Sequence, residues 1–156
     1  MTTIDSLTQE YKDIAALLDQ KRTELAAPLR STLFERMQRV LIELPEIDRI
    51  EWNQYTPYFN DGEECTFSVH ELLFPPADKS VDSELLGPNT YIDSEGWVSL
   101  RKGIETLNDR GRAVATLEKE FKSIESDILR FIFGDHVTVT VRRDSTDFEV
   151  DDCDHD

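Results

Sequence analysis

Residues 4–25, IDSLTQEYKDIAALLDQKRTEL, carry apolar side chains in a seven-residue rhythm that decides the fold class. Two positions of the repeat are apolar: one is occupied by Ile4, Tyr11, Leu18 and Leu25, the other by Leu7 and Ile14. Together the two positions form the first seam, in which Lys21, seven residues after Ile14, is the one residue that is not apolar. A heptad repeat of this kind is typical of a helix that packs along a second helix with left-handed coiling. The stretch therefore predicts a coiled-coil-like helix.

Pro28 falls where the first seam would continue. Proline inside a helix removes a backbone hydrogen bond, but it is favourable in the first turn of a new helix. We therefore predict a kink or a break at Pro28, followed by a second helix from about Leu29 to Leu44, which Pro45 ends. Its apolar face has a period close to 3.6 residues and consists of Leu29, Leu33, Met37, Val40, Leu41 and Leu44.

A second heptad seam predicts one long helix from about Leu100 to Gly134, a residue type that commonly ends helices. Its positions are Leu107, Val114, Phe121 and Ile128, alternating with Leu117, Ile124 and Phe131. The two seams can bury each other within one chain or pair between chains. The sequence does not choose between these arrangements.

Residues 47–58 and 63–74 predict two strands joined by a turn at Asn60-Asp61-Gly62, because these residue types tolerate the backbone of tight turns. Residues 75–95 are rich in proline, serine, aspartate and glycine, which predicts a long loop.

A second hairpin is predicted near the end of the chain. Val137, Val139 and Val141 alternate with polar residues, as in a half-buried strand, and Phe148 and Val150 belong to the returning strand. The fold class is therefore α+β, with long coiled-coil-like helices packed on a small antiparallel sheet of two hairpins. We assign residues 1–150 to a single domain and residues 151–156 to an acidic disordered tail.

The negative charge is unevenly distributed along the chain, which has 156 residues and a net charge of −16. Residues 1–42 are balanced, whereas residues 43–95 hold thirteen acids and two bases, and residues 144–156 hold seven acids and no base. Concentrated negative charge repels nucleic acid and membranes and attracts basic partners. We predict a basic protein surface as the partner, with no direct nucleic-acid or membrane binding.

The chain shows no long apolar segment or signal-peptide pattern, and it has only two cysteines, Cys65 and Cys153. These features predict a cytoplasmic protein. The donor-rich tail, residues 151–156, could bind a hard cation, but a fraying terminus does not preorganise ligands, so a solvated end is preferred. No catalytic motif is recognisable. We predict no catalytic residues, no metal site and no cofactor.

The predicted partner-binding site lies around the first hairpin. Four aromatic residues fall within residues 52–59, more than one strand face can bury, and we assign Trp52 to the core. Acidic residues surround the others, which disfavours base stacking. The acids could also simply keep a turn solvated. The residues predicted to contact a partner are Tyr55, Tyr58, Asp61, Glu63, Glu64 and Glu71.

Two segments, WNQYTPYFNDGEECTFSVHE at residues 52–71 and FGDHVTV at residues 133–139, resemble segments of small uncharacterised acidic proteins of tailed phages. The resemblance implies a phage origin, and hence the cytoplasm of a host cell. It implies no active site, and we transfer no functional residue from it.

The leading hypothesis is a non-enzymatic protein that presents an acidic surface to a basic partner. This includes inhibition of a host nucleic-acid-binding or defence protein by DNA mimicry. The alternative is a coiled-coil oligomer with an assembly or chaperone-like role. A third hypothesis, a metal-dependent enzyme acting on phosphate esters, requires a folded divalent-cation site.

Overall fold

The computed structural model describes residues 3–57, 65–78, 90–93, 96–99 and 107–153. Three helices and six strands occur in this part of the chain: α1 (Thr3–Glu43), β1 (Arg49–Tyr55), β2 (Ser68–Val69), β3 (Thr90–Asp93), β4 (Gly96–Ser99), α2 (Asp109–Lys122), α3 (Ser126–Phe133), β5 (Val137–Arg142) and β6 (Glu149–Asp152). The α+β class with a small antiparallel sheet is confirmed.

Helix α1 runs without interruption through Pro28, so the predicted break and the second helix beginning at Leu29 are wrong. Its 41 residues span about 60 Å at 1.5 Å per residue. Pro28 is exposed, so water can hydrogen-bond to the carbonyl oxygen that proline leaves without an intrahelical donor. The predicted end of the helix at Pro45 is confirmed within two residues.

The main sheet has the strand order β2-β1-β5-β6, with all neighbours antiparallel. Its central pair joins β1 to β5, from Arg49 opposite Arg142 to Gln54 opposite Val137. The first predicted strand, residues 47–58, is shortened to β1. The predicted return strand, residues 63–74, is reduced to the two residues of β2 and isolated bridges that follow it. Residues 58–64, which include the predicted turn, lie outside the described residues.

A separate two-stranded sheet pairs β3 with β4, from Thr90 opposite Ser99 to Asp93 opposite Gly96. Strand β3 lies within residues 75–95, so the prediction of a loop over that whole segment is wrong. In its backbone register Tyr91 is opposite Val98 and Ile92 is opposite Trp97.

The predicted long helix is divided into α2 and α3, so a single helix up to Gly134 is wrong. The side-chain hydroxyl of Ser123 donates to the carbonyl oxygen of Glu120 at 2.6 Å, and the Ile124 N–H donates to Phe121 three residues back. Serine side chains compete in this way with helical hydrogen bonds. Gly134, with φ of 100°, ends α3 as predicted.

The hydrophobic core lies between the C-terminal half of α1, helices α2 and α3, and one face of the main sheet. Trp52 is at its centre and is fully buried, as predicted. Three phenylalanine rings surround the indole edge-to-face, with centroid distances of 4.8 Å to Phe121, 5.4 Å to Phe133 and 6.1 Å to Phe148. Edge-to-face pairs add to the stability that burial gives.

The disordered tail was predicted to begin at Asp151, but strand β6 extends to Asp152. Asp151 and Asp152 belong to β6, where they lie opposite Thr138 and Val137 of β5. The Cys153 N–H continues this ladder by donating to the His136 carbonyl oxygen at 2.7 Å. Residues 154–156 lie outside the described residues.

Candidate functional site

The N-terminal half of α1 exposes a row of large apolar side chains. Between 55% and 74% of the surface of each is exposed; we call the six, Leu7, Tyr11, Ile14, Leu17, Leu18 and Leu25, the α1 stripe. Between residues 6 and 32 of α1 no side chain is buried, whereas from Leu33 onward every apolar position on one face is buried. One helix therefore has two halves with different environments.

The stripe does not point toward the core of its own chain. With successive residues about 100° apart around a helix, the mean direction of the stripe lies roughly 90° from that of the face containing Leu33, Met37 and Leu44. The second seam is buried instead against the C-terminal half of α1, through Val114 and Phe121. Packing of the two predicted seams on each other within one chain is therefore not what the structure shows.

Helix α1 is held firmly where it enters the core. The Arg30 guanidinium lies over the Phe133 and Phe148 rings, 5.4 and 5.5 Å from their centroids, and it is 3.1 Å from the carboxylate of Asp147. One turn and a half later, Arg36 is 3.0 Å from Glu120 of α2. The stripe thus belongs to a helix whose direction is fixed by these contacts.

The polar residues beside the stripe carry both signs of charge. Lys21, which occupies the one non-apolar seam position, is 3.4 Å from Glu24 one turn on. Glu10 is exposed and lies next to Tyr11 in the chain. At the end nearest the core, Phe131 of α3 is 48% exposed and shares a shallow depression with Arg22. The apolar surface therefore continues slightly beyond Leu25.

Of the six predicted partner-binding residues, Tyr58, Asp61, Glu63 and Glu64 lie outside the described residues. Tyr55 stacks on His70, with ring centroids 4.7 Å apart and planes inclined by 23°. Glu71 is 3.4 Å from Lys122. Tyr55 is the last residue of β1 and Glu71 lies two residues after β2, and each of them contacts another side chain of the same chain.

Some of the acids of residues 43–95 pair with bases of the folded chain. Glu46 is 2.9 Å from Arg110, and Asp48 is 3.6 Å from Arg142. Arg49 also pairs with Asp48 and with Glu51, at 2.9 and 3.1 Å. Charge that is separated in the sequence is therefore partly mixed on the folded surface.

The acids at the far edge of the main sheet are different. Asp151 and Asp152 of β6 and Asp144 in the preceding turn are exposed, and within the described part of the chain none of the three makes an ion pair. We call these three residues the β6 acidic edge. Strand β6 is the last strand of the sheet, so one of its edges has no neighbouring strand among the residues that the structure describes.

Sequence reasoning missed a buried carboxylate on α2. Glu118 is 7% exposed, and its Oε1 accepts a hydrogen bond from Lys122 at 3.0 Å, while its Oε2 is buried without a partner among the described residues. The hydrogen bond with Glu118 raises the pKa of Lys122 above its usual value, although burial opposes the change. Lys122 also lines a cavity of about 370 Å³ with His70 and Glu71. The sequence signal that could have indicated the buried carboxylate is the position of Glu118 directly after Leu117 of the second seam.

A second missed carboxylate joins β1 to the turn before β5. Asp135 accepts hydrogen bonds from the Thr56 N–H at 2.8 Å, from the Thr56 hydroxyl at 2.7 Å and from the His136 N–H at 2.8 Å. Burial, the largest single effect, raises the pKa of Asp135, but these hydrogen bonds together outweigh it and lower the pKa below its usual value. Asp135 is therefore a structural carboxylate.

Gln54 completes this polar framework inside the core. The Trp52 indole N–H donates to its side-chain oxygen at 2.9 Å, and its amide donates to the carbonyl oxygens of Leu129 and Gly134, at 3.0 and 2.8 Å. A fully buried amide with three such partners fixes the geometry around it. It serves packing and offers no free group to a ligand.

The described residues contain no group of three or more histidine, cysteine or acidic side chains placed to hold a metal ion. Among them, too, no helix has both the length and the apolar character that crossing a bilayer requires. Comparison of the chain with protein-family models, with curated proteins and with solved structures finds no match. The geometry of the chain itself is therefore the basis for a function.

Proposed function

We propose that this protein is a coiled-coil assembly protein, in which the α1 stripe packs against another helix. One observation carries the proposal: five large apolar side chains in heptad register, with Leu17 beside them, are exposed on a helix that the core holds in a fixed direction. This corresponds to the second of the three functional hypotheses that the sequence raises.

The energetic argument is that an unpaired stripe is unfavourable in water. Full burial of one leucine or isoleucine side chain contributes roughly 1.5–3 kcal/mol, and the stripe holds five of them together with Tyr11. Apolar surface of this extent on a folded domain commonly marks an interaction site. In the helical half that carries the stripe, none of the described side chains of residues 6–32 is buried, and packing supplies most helical stability in proteins.

Presentation of acidic surface to a basic partner is a second candidate, and the β6 acidic edge favours it. Its three carboxylates are exposed without an ion pair among the described residues, two of them on β6, whose outer edge no described strand covers and which a basic extended segment could reach. Glu71 supports this candidate less well, because Lys122 already pairs with it. A charge-reversed edge, with Asp151→Lys and Asp152→Lys, tests this function separately.

The assembly function is tested by the molar mass in solution across a range of concentrations. We expect the mass of the parent chain to exceed 18.0 kDa and to fall toward that value on dilution. The double variant Ile14→Glu with Leu18→Glu should remain at 18.0 kDa throughout, because buried carboxylates would oppose pairing.

The matched control is Gln9→Glu with Ala16→Glu, which adds two acids on the side of α1 opposite the stripe. It should assemble like the parent chain, apart from slightly stronger charge repulsion. A parent chain that stays at 18.0 kDa at every concentration, or a control that dissociates as completely as the stripe variant, contradicts the proposed function.

A further inference from the structure

We propose that the occupant of the α1 stripe is the α1 stripe of a second copy, running antiparallel, with the two-fold axis next to Leu17. This inference rests on the proposed function and specifies its partner and geometry. It is drawn from the register of the stripe, from the charges beside it and from where the rest of each chain would lie.

The antiparallel register follows from matching the stripe to itself. When Leu7 lies opposite Leu25 of the second copy, Ile14 lies opposite Leu18 and the two Leu17 side chains meet near the axis. Every member of the stripe except Tyr11 then lies opposite or beside an apolar residue of the second copy. Moving either helix by one heptad leaves Leu25 or Leu7 without a partner, so this register buries the most apolar surface.

Lys21 distinguishes the antiparallel arrangement from the parallel one. In a parallel pair in register, the two Lys21 ammonium groups would face each other in the seam, and like charges at a desolvated position repel. In the antiparallel register, Lys21 lies opposite Tyr11 of the second copy. Its ammonium can then rest on the aromatic face, with Glu10 of the second copy and its own Glu24 on either side.

The net charge of −16 per chain also favours the antiparallel pair. A parallel pair would place two acidic cores side by side. In the antiparallel pair, the two Glu35 residues at the base of α1 lie roughly 57 Å apart, from a rise of 1.5 Å per residue on each side of the axis. That separation is many times the Debye length of about 8 Å at physiological salt, so the cores hardly repel each other.

The buried area is sufficient for a specific but reversible dimer. If each of the six side chains contributes on the order of 100 Å², the pair buries about 1,200 Å² in total, at the lower end of specific protein interfaces. Phe131, at the end of the stripe, adds surface that the N-terminal turn of the second copy can cover. We therefore expect a dimer that dissociates on dilution.

The geometry is tested by electron-spin distance measurements on the full chain. Single labels are introduced by Glu35→Cys and, in a separate protein, by Ala27→Cys; both positions are exposed, and Cys65 and Cys153 are replaced by serine. The antiparallel register predicts label separations of roughly 57 Å and roughly 33 Å, since each residue toward the core adds about 3 Å.

Each result supports or overturns the inference. Two distances that differ by about 24 Å support it, and both would change by about 10 Å for a one-heptad shift. Two short and nearly equal distances indicate a parallel pair, which overturns the inference but leaves the proposed function standing. A mass of 18.0 kDa without any dipolar coupling between labels overturns both.

Discussion

The Arg143 guanidinium donates a hydrogen bond to the carbonyl oxygen of Leu41 at 2.8 Å, which ties the turn after β5 to the last turn of α1. The same guanidinium reaches the carbonyl oxygens of Leu44 at 3.3 Å and Ile47 at 2.8 Å. The last carbonyls of a helix have no intrahelical donor, and a cation near them also complements the helix dipole. One side chain therefore closes the end of the helix that carries the α1 stripe.

Replacing Arg143 with methionine should lower the free energy of unfolding by about 2–4 kcal/mol, because charged hydrogen bonds to half-buried carbonyls are lost. The measurement is urea unfolding at a concentration low enough to keep the chain monomeric. Arg39→Met is the matched control, since Arg39 is exposed, and its effect should stay within about 0.5 kcal/mol. Equal midpoints for the two variants would refute the capping role.

Leu41 and Leu18 offer a second matched pair, because they are the same residue type on the same helix. Leu41 is fully buried, so Leu41→Ala should cost about 2–5 kcal/mol of unfolding free energy in the monomer. Leu18→Ala should cost less than about 0.5 kcal/mol in the monomer, yet weaken association. Thermal unfolding at low and high concentration separates these effects. A large loss for Leu18→Ala at low concentration would mean that the stripe is buried within its own chain.

Asp135 should make stability depend on pH in the acid range. Its pKa is lowered in the folded state from an ordinary value of 3.8, so the unfolded chain binds this proton more tightly. The stability from Asp135 is therefore fully present above about pH 4 and is lost as pH falls through the lower, folded pKa.

The variant Asp135→Asn should lose about 2–4 kcal/mol at pH 7, because an amide cannot accept all the hydrogen bonds that Thr56 and His136 donate. Its unfolding free energy should also change less between pH 4 and pH 2 than that of the parent. Asp151→Asn, on the exposed β6 acidic edge, is the control and should keep the parent's pH dependence. Parallel pH curves for Asp135→Asn and the parent would count against the assignment.

Glu118 should be replaceable without loss of stability. Methionine has a similar size and removes the buried Oε2 that lacks a partner, while Lys122 keeps its contact with Glu71 and with solvent. We expect Glu118→Met to be neutral or stabilising by about 1–2 kcal/mol in urea unfolding. The pKa of Lys122, followed by NMR, should fall toward its ordinary value, because the hydrogen bond with Glu118 is the main cause of its rise. A loss of stability together with an unchanged Lys122 pKa would show that Glu118 has another role.

Local pattern was informative where a single residue or a single helix face decides the structure. The heptad repeat of residues 4–25 predicted a helix there, Trp52 was predicted in the core, and Gly134 was predicted to end a helix. At Pro28 the sequence predicts a break that the structure does not have, and at Ser123 the structure has a break that the sequence does not predict. The core holds α1 continuous beyond a proline, whereas one hydroxyl hydrogen bond accompanies the break in an otherwise regular heptad helix.

Contacts between distant residues could not be predicted from one sequence. Strand β1 pairs with β5, more than eighty residues away, and not mainly with the segment that follows it. The same holds for Glu46 with Arg110 and for Asp48 with Arg142, which offset charge that the sequence separates into blocks. Of the predicted partner-binding residues, the structure describes Tyr55 and Glu71, and both have neighbours that no sequence pattern indicates.

Amide hydrogen exchange along α1, followed at two protein concentrations, tests the central claim most directly because it observes the stripe itself. An unpacked helical half opens easily, so its amides exchange quickly unless another helix covers it. We predict that protection of residues 7–25 rises steeply with concentration, while residues 33–43 stay equally protected at both. Exchange of residues 7–25 at one rate, whatever the concentration, would contradict pairing through the α1 stripe.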